Sequence, residues 1–222
     1  MINLNDINII IPAIKNNRHS QLGDFDFLGD MTLLEWKISQ AKKITKVKKI
    51  FITGQDESIN KICKENGINF LRRKKKINLN LLYKSIGKKF FNKYVLWLNP
   101  SYPFYNEKNI HFFLKNYIKK INIKNDSAVS CYLEKEYFFY KNKSINFDPT
   151  KKIISRDKIT PLVKIINAAH LTKGNLMFKN HSLFGLKTYL CPSNYASSIE
   201  IKNDKNINIR NLMLINNVKD TI

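Results

Sequence analysis

With 222 residues, 43% hydrophobic and 12% aromatic, the chain can bury a core as one domain over 1–222 and does not have a disordered composition. Its longest apolar run, Tyr94 to Leu98, is far short of the ~20 residues of a membrane span, and residues 1–11 carry no Lys or Arg of a basic leader, so a cytoplasmic protein with no membrane partner is expected. The net charge of +22 invites nucleic acid, but 34 Lys stand against 5 Arg beside 29 Asn and 31 Ile, a bias toward AT-rich codons that coats any fold with lysine, so nucleic acid is not the expected partner.

Ile7 to Ile11 is a short β-branched run ended by Pro12, which has no N–H for a ladder, and it opens into a polar loop through Gly23. Such a strand, running out into Asn, Lys and Arg, is a usual phosphate-facing arrangement in α/β proteins; the other reading is an ordinary surface loop. From Met31 to Ile44, apolar Leu33, Leu34, Trp36, Ile38, Ala41 and Ile44 have helical spacing, with Asp30 or Thr32 as N-cap. Val47 to Thr53 reads as a strand. Asp56 then caps a helix through Glu65, Gly67 takes the C-terminal glycine position, and Ile68 to Leu71 is a third strand. Strands alternating with helices of this length predict a mostly parallel sheet.

Leu79 to Phe91 is the next predicted helix and Tyr94 to Leu98 a central strand. It ends at Asn99-Pro100-Ser101-Tyr102-Pro103-Phe104, a rigid turn at a carboxyl end, where ligands of open α/β sheets bind. A helix over about Glu107 to Ile121 precedes a strand at Asp126 to Tyr132. Residues 134–161 lose the pattern and read as an excursion, a subdomain or a dimerisation arm. Strands follow at Leu162–Leu171 and Thr188–Cys191, the latter ended by Pro192, then Ser198 to Asp204 and a tail through Asn211–Ile215. Cys63, Cys131 and Cys191, few and far apart, are expected as buried residues rather than a disulfide framework or zinc site.

Taken in order, these stations resemble the acylneuraminate cytidylyltransferase family, which activates sialic acids and related nonulosonates as CMP-sugars. Ala13 aligns with the alanine of that family's Ala-Arg-x-x-Ser-Lys-Gly phosphate loop, and Leu33-Leu34 then fall on its Leu-Leu without a gap. Arg18 stands on the loop lysine. Phe70-Leu71-Arg72 is similar to a Leu-Arg-Pro stretch, and Leu98-Asn99-Pro100-Ser101-Tyr102-Pro103 to Leu-Gln-Pro-Thr-Ser-Pro. Asp126 to Ser130 is similar to Asp-Ser-Val-Val-Ser, Asn167-Ala168-Ala169 to Asn-Gly-Ala, and Ser198 to Asn203 to the magnesium motif Ser-Ile-Asp-Ile-Asp-Thr. The chain departs from the family at Ile14 (arginine), His19 (glycine), Asn99 (glutamine), Tyr105 (arginine) and Lys202 (the second metal aspartate).

The resemblance implies a three-layer, nucleotide-diphospho-sugar transferase-like (Rossmann-like) α/β fold, with a mostly parallel sheet and a small excursion for homodimerisation. It implies transfer of CMP from CTP to a sugar acid with loss of pyrophosphate, for glycan or surface polysaccharide synthesis. The alternative is a catalytically impaired homologue acting as a nucleotide-binding or regulatory partner. Ala13, Lys15, Asn16, Asn17, Arg18, Asp24 and Arg72 are expected at the nucleotide, and Asn99, Ser101 and Asn167 at the sugar acid. Arg18 and Lys202 are the expected catalytic cations and Glu200 the magnesium ligand. The bland alternatives are a surface arginine at 18, a turn cap at Asn99, a solvated carboxylate at 200, and a solvated loop at Arg72-Arg73-Lys74-Lys75-Lys76.

Overall fold

The structure, a computed structural model, describes residues 6–16, 21–74, 77–121, 125–152 and 154–201. Strand β1 (Ile7–Pro12) places Ile9, Ile10 and Ile11 out of contact with solvent. Successive side chains point to opposite faces, so a strand buried at consecutive positions needs cover on both sides. A two-residue hairpin, β2 (Phe27–Leu28) with β3 (Met31–Thr32), leads into α1 (Leu33–Ile44). Of the two expected caps, Thr32 serves: its hydroxyl accepts from the Glu35 N–H, and the Glu35 carboxylate accepts from the Thr32 N–H at 2.9 Å.

The chain continues through β4 (Ile50–Gly54), α2 (Glu57–Glu65), β5 (Asn69–Arg72), α3 (Leu79–Lys89), β6 (Tyr94–Leu98), α4 (Glu107–Ile121) and β7 (Ser127–Glu134). Val47 to Lys49, expected as the start of a strand, is a 3-10 turn that delivers the chain to β4. Gly67 has φ +66° just past α2, the left-handed position for which glycine is suited. After β7 a short hairpin, β8 (Phe139–Tyr140) and β9 (Lys143–Ser144), turns on Lys141 and Asn142, both at positive φ. Then come β10 (Leu162–Lys173), α5 (Gly174–Asn180) and β11 (Thr188–Pro192). The sequence pattern does not announce α5, because seven residues are too few for a helical period to register.

The seven-stranded sheet has the order β11-β7-β10-β6-β1-β4-β5. Every neighbouring pair is parallel except those of β10, which runs antiparallel to both β6 and β7. Pro192 is admitted to β11 because that strand lies at an edge and its missing N–H breaks no inner ladder. One face buries Ile9, Ile11, Leu96 and Leu98 under Leu34 and Ile38 of α1, Ile59 of α2 and Phe113 and Tyr117 of α4. The other buries Ile10, Val95 and Trp97 under Leu82 and Ile86 of α3 and Met177 of α5. The result is the expected three-layer α/β arrangement with a mostly parallel sheet. All three cysteines are buried thiols. Among the described residues no helix is long and apolar enough to cross a membrane.

Helices α3 and α5 meet at glycines. A Cβ on Gly87 would lie 2.4 Å from the Phe178 nitrogen, and one on Gly174 would lie 2.0 Å from the Phe90 carbonyl oxygen. Both clashes are with backbone, which cannot rotate away. Gly87→Ala should therefore lower the unfolding free energy by about 1–3 kcal/mol in urea titrations, by overpacking rather than by lost helix propensity, which alanine improves. An unchanged midpoint would show that the two helices separate freely.

Candidate active site

Between β1 and β6 the order of the sheet reverses. From β1 the chain builds outward to β4 and β5, then returns to add β6 on the opposite side of β1. In open α/β sheets the carboxyl ends of strands at such a reversal splay their loops apart and leave a crevice. The loop after β1 and the turn after β6 leave from these neighbouring strands.

The β1 loop is fastened near both its ends. The Ala13 N–H donates to the Thr53 carbonyl at 2.9 Å, and the Ile14 N–H to Asp24 Oδ2 at 2.8 Å. The Asp24 N–H returns a bond to the Ile14 carbonyl at 2.8 Å. Gly23, at φ +58°, lets this closure form, since a Cβ there would lie 2.3 Å from the Ile14 oxygen. Arg73, just beyond β5, donates Nη2 to the Ala13 carbonyl at 2.9 Å. Burial lowers the Arg73 pKa, while the Asp24 and Asp56 carboxylates oppose that shift.

On the other side of the crevice, β10 is bulged. Ile165 pairs with Cys131 and His170 with Val129, so four residues of β10 stand against one of β7. Ser130 fills the gap: its hydroxyl lies 2.7 Å from the Ile166 carbonyl and 3.2 Å from that of Ala169, and it accepts the Ala169 N–H at 3.0 Å. The bulge leaves Asn167 exposed, and the Asn99 N–H donates to the neighbouring Ala168 carbonyl at 3.1 Å. Buried His170 places Nε2 3.2 Å from Asn167 Oδ1, and burial lowers its pKa to about 4, so it is a neutral imidazole at pH 7. Ser101, fully buried, has its hydroxyl 3.2 Å from Asn99 Oδ1 and 3.3 Å from Glu200 Oε1. Its carbonyl accepts the Ile201 N–H at 2.7 Å, which fastens the segment carrying Glu200 to the β6 turn. The Tyr102 phenol is held neutral by burial first and by the Glu200 carboxylate second, against a lowering contribution from the Asn167 backbone. A cavity of about 270 Å³ opens here, with Tyr102, Lys164, Ile166, Tyr195, Ser198 and Glu200 on its walls.

Helix α1 grips the same turn from beneath. Trp36 Nε1 and Gln40 Nε2 donate to the Pro103 carbonyl at 2.9 and 3.0 Å. Lys37 Nζ donates to the carbonyls of Tyr102 and Tyr105, each at 2.9 Å. Lys37 has no solvent exposure, and burial lowers its pKa to about 7, with the Glu107 carboxylate opposing.

Asn99, Ser101, Asn167 and Glu200 are thus gathered at the carboxyl end of β6, and Ala13, Lys15, Asn16 and Asp24 at that of β1. Lys15 is exposed, with Nζ 5.8 Å from the Phe25 ring, and Asn16 is exposed at φ +65°. Arg72 is turned away onto Glu57 in an exposed ion pair and lies over the Phe70 ring; its neighbour Arg73 is the guanidinium that reaches the β1 loop. Asn17, Arg18, His19 and Lys202 lie outside the described residues. Sequence reasoning missed Arg73, Lys37, Tyr102, Lys164, Tyr195 and His170. Alternation along β5 carried a signal for Arg73, since adjacent strand residues face opposite sides. The others come together through the bulge and the β6 turn, which have no periodicity to read. Among the described residues no three His, Cys, Asp or Glu side chains converge. A magnesium ion would have Glu200 as its carboxylate, beside the hard oxygens of Ser101 and Asn99. That donor set fits an ion that keeps most of its water and takes its remaining ligands from phosphates.

No family model matches the chain, and no curated protein sequence matches it. Solved structures do match. A 4-diphosphocytidyl-2C-methyl-D-erythritol synthase from Anaerococcus prevotii superposes with a TM-score of 0.68 at 16% identity, over 94% of this chain and 96% of the other. A CMP:2-keto-3-deoxy-manno-octonic acid synthetase complexed with CTP gives 0.66 at 10% identity, over 95% and 99%. A cytidylyltransferase from Leptospira borgpetersenii gives 0.64 at 13%, over 97% and 94%. The fold is the one these cytidylyltransferases share.

Two measurements check this geometry. Arg73→Ala leaves the Ala13 carbonyl unbonded and should cost about 1–3 kcal/mol in urea, whereas Arg72→Ala, which breaks an exposed pair, should stay within about 1 kcal/mol. Lys37 sets a pH dependence. Unfolded, its amine holds a proton up to about 10.5, while folded it releases that proton near 7. The unfolded state therefore binds more protons across that window, and this group makes stability rise with pH from about 7 to 10.5. The rise should be absent in Lys37→Met.

Proposed function

We propose that the chain is a nucleotidyltransferase that moves CMP from CTP to a sugar acid, a sialic acid or related nonulosonate, releasing pyrophosphate. In this reading it works in the cytoplasm as a homodimer and supplies glycan or surface polysaccharide synthesis. The observation that carries the proposal is the meeting of Asn99, Ser101, Asn167 and Glu200 beside the fastened β1 loop, at the sheet's reversal point. The shared fold supports it, since the octonic acid synthetase among the similar structures is complexed with CTP.

In the reaction an acceptor hydroxyl oxygen attacks the α-phosphorus. A new O–P bond forms, the bond to the oxygen bridging the β-phosphate breaks, and pyrophosphate leaves with that electron pair. The hydroxyl proton passes to water. Transfer of this kind needs alignment and charge neutralisation more than covalent help. Backbone amides of Lys15 to Asn17, with the side chains of Lys15 and Arg18, are assigned to the triphosphate in this proposal, and Asp24 keeps the loop in shape. Lys202 is assigned the second catalytic cation. Asn99 and Asn167 offer amide donors and acceptors to acceptor hydroxyl and acyl groups. Lys164 on the cavity wall, 3.6 Å from Glu134, favours an acid over a neutral sugar, because its ammonium can also meet a substrate carboxylate. Magnesium held by Glu200 would supply neutralisation of charge on the phosphates.

The test is pyrophosphate release from CTP and Mg²⁺ with sialic, legionaminic, pseudaminic and octulosonic acids. Release with at least one acid is expected. Glu200→Gln should lower its kcat/KM on the order of 10²-fold, the scale of losing one electrostatic group at a reacting centre. A folded protein that releases none with any acid overturns the proposal, and CTP binding in calorimetry would then point to the nucleotide-binding, non-catalytic alternative.

A further inference from the structure

A lysine is almost never fully buried unless it is paired. Lys37 is fully buried, and among the described residues no carboxylate lies within ion-pairing distance of it. Glu107, the charge that acts on it, is paired at 2.8 Å with Lys43 on the outer side of α1. An apolar side chain would suit a contact between α1 and the core better, unless the donors of the amine are needed.

They are needed by the turn after β6. Pro100 and Pro103 contribute carbonyls to it but no N–H groups, so the turn has more acceptors than donors. Tyr102 and Tyr105 are buried, and their carbonyls are out of reach of water. Lys37 donates to both, adding to the bond that the Tyr102 carbonyl already accepts from the Tyr105 N–H at 3.2 Å, while Trp36 and Gln40 satisfy Pro103. A neutral amine has two N–H bonds, matching two carbonyls, and burial favours that neutral form. The far end of the turn is closed by Asn106 and Asn109, which exchange backbone-to-side-chain bonds at 3.1 and 3.2 Å. The near end carries Ser101, whose hydroxyl and carbonyl hold Glu200 and Ile201.

We propose that Lys37 is a positioning residue for the acceptor half of the site: by donating to the carbonyls of Tyr102 and Tyr105 it holds the Pro100–Asn106 turn in the shape that brings Ser101 and Tyr102 to Glu200. It touches no substrate and acts through the turn. The nucleotide half is fastened independently, by Asp24, Gly23 and Arg73. The role of Lys37 in fixing the turn stands on geometry; its kinetic consequence rests on the function proposed above.

The experiment compares wild type with Lys37→Met, which nearly keeps length and loses the donors. Hydrogen exchange at the Tyr102, Tyr105 and Ile201 amides should quicken about tenfold or more in the variant, while those of Ile9 to Ile11 and Ile52 stay protected. With the sugar acid the wild type uses, KM for the acid should rise about tenfold and KM for CTP stay unchanged. Unchanged exchange at all three amides overturns the proposal, as does an equal rise in both KM values. If Lys37→Met does not fold, the double variant Trp36→Phe, Gln40→Met loosens the same turn from the neighbouring carbonyl and is read in the same way. If the wild type turns over no acid, the functional reading fails, and the exchange measurement alone decides the role of Lys37.

Discussion

Backbone polar groups that leave the sheet ladder at its carboxyl end must find partners away from water, and this requirement organises the molecule. Parallel strands covered on both faces bury their ends along with their centres. The Ala13 carbonyl, the carbonyls of Tyr102, Pro103 and Tyr105, and that of Ile166 in the bulge lie outside the registered ladder. Each is met by a side chain from another element: Arg73, the donors of α1, and Ser130. An unmet buried carbonyl would cost about 1–3 kcal/mol, and several together would rival the net stability of a domain. The side chains that fasten the loops are therefore as much a part of the fold as the apolar core, and they set where the exposed amides and carboxylate of the crevice can sit.

The antiparallel insertion of β10 between β6 and β7 follows the same logic. A strand entering from the opposite direction brings its middle, rather than its end, to the carboxyl side of β6. The bulge around Ser130 breaks the register of that middle and leaves Asn167 exposed. His170, neutral and buried one turn of the bulge later, stands against the Asn167 amide from within the sheet.

Much of this architecture was legible from the chain. The β-branched run at Ile9 to Ile11, the helical spacing over Leu33 to Ile44 and the apolar strand Tyr94 to Leu98 each impose one periodicity strongly, and each formed the element expected. Pro100 and Pro103 marked a rigid turn at a strand's carboxyl end. What sequence could not supply is partnership across distance. Nothing local says that Lys37 and Tyr102, sixty-five positions apart, share a bond, or that Arg72 leaves the crevice for Glu57 while Arg73 enters it. Two departures from the resembled family are also clearer in three dimensions. Tyr105, standing for an arginine, is a buried core side chain, and Ile14, standing for another, is partly exposed while its backbone N–H is committed to Asp24. Arg73 brings a guanidinium to the carbonyl of the residue before Ile14 by a different route.

Lysine in this chain has two kinds of explanation, and burial separates them. A nucleotide bias toward AT-rich codons explains a lysine wherever the surface tolerates one, which is nearly everywhere, so the net charge of +22 says little about function. The same bias acts on position 37, but there the surface's tolerance is missing: a dry site between a helix and a proline-rich turn rejects an ammonium unless its donors are used. Isoleucine, another residue this composition favours, would have filled that space without any charge to accommodate. Among the described residues Lys37 is the lysine without solvent exposure, and it is also the one that bonds two buried carbonyls. Composition accounts for the lysines on the outside; only the needs of the turn account for this one.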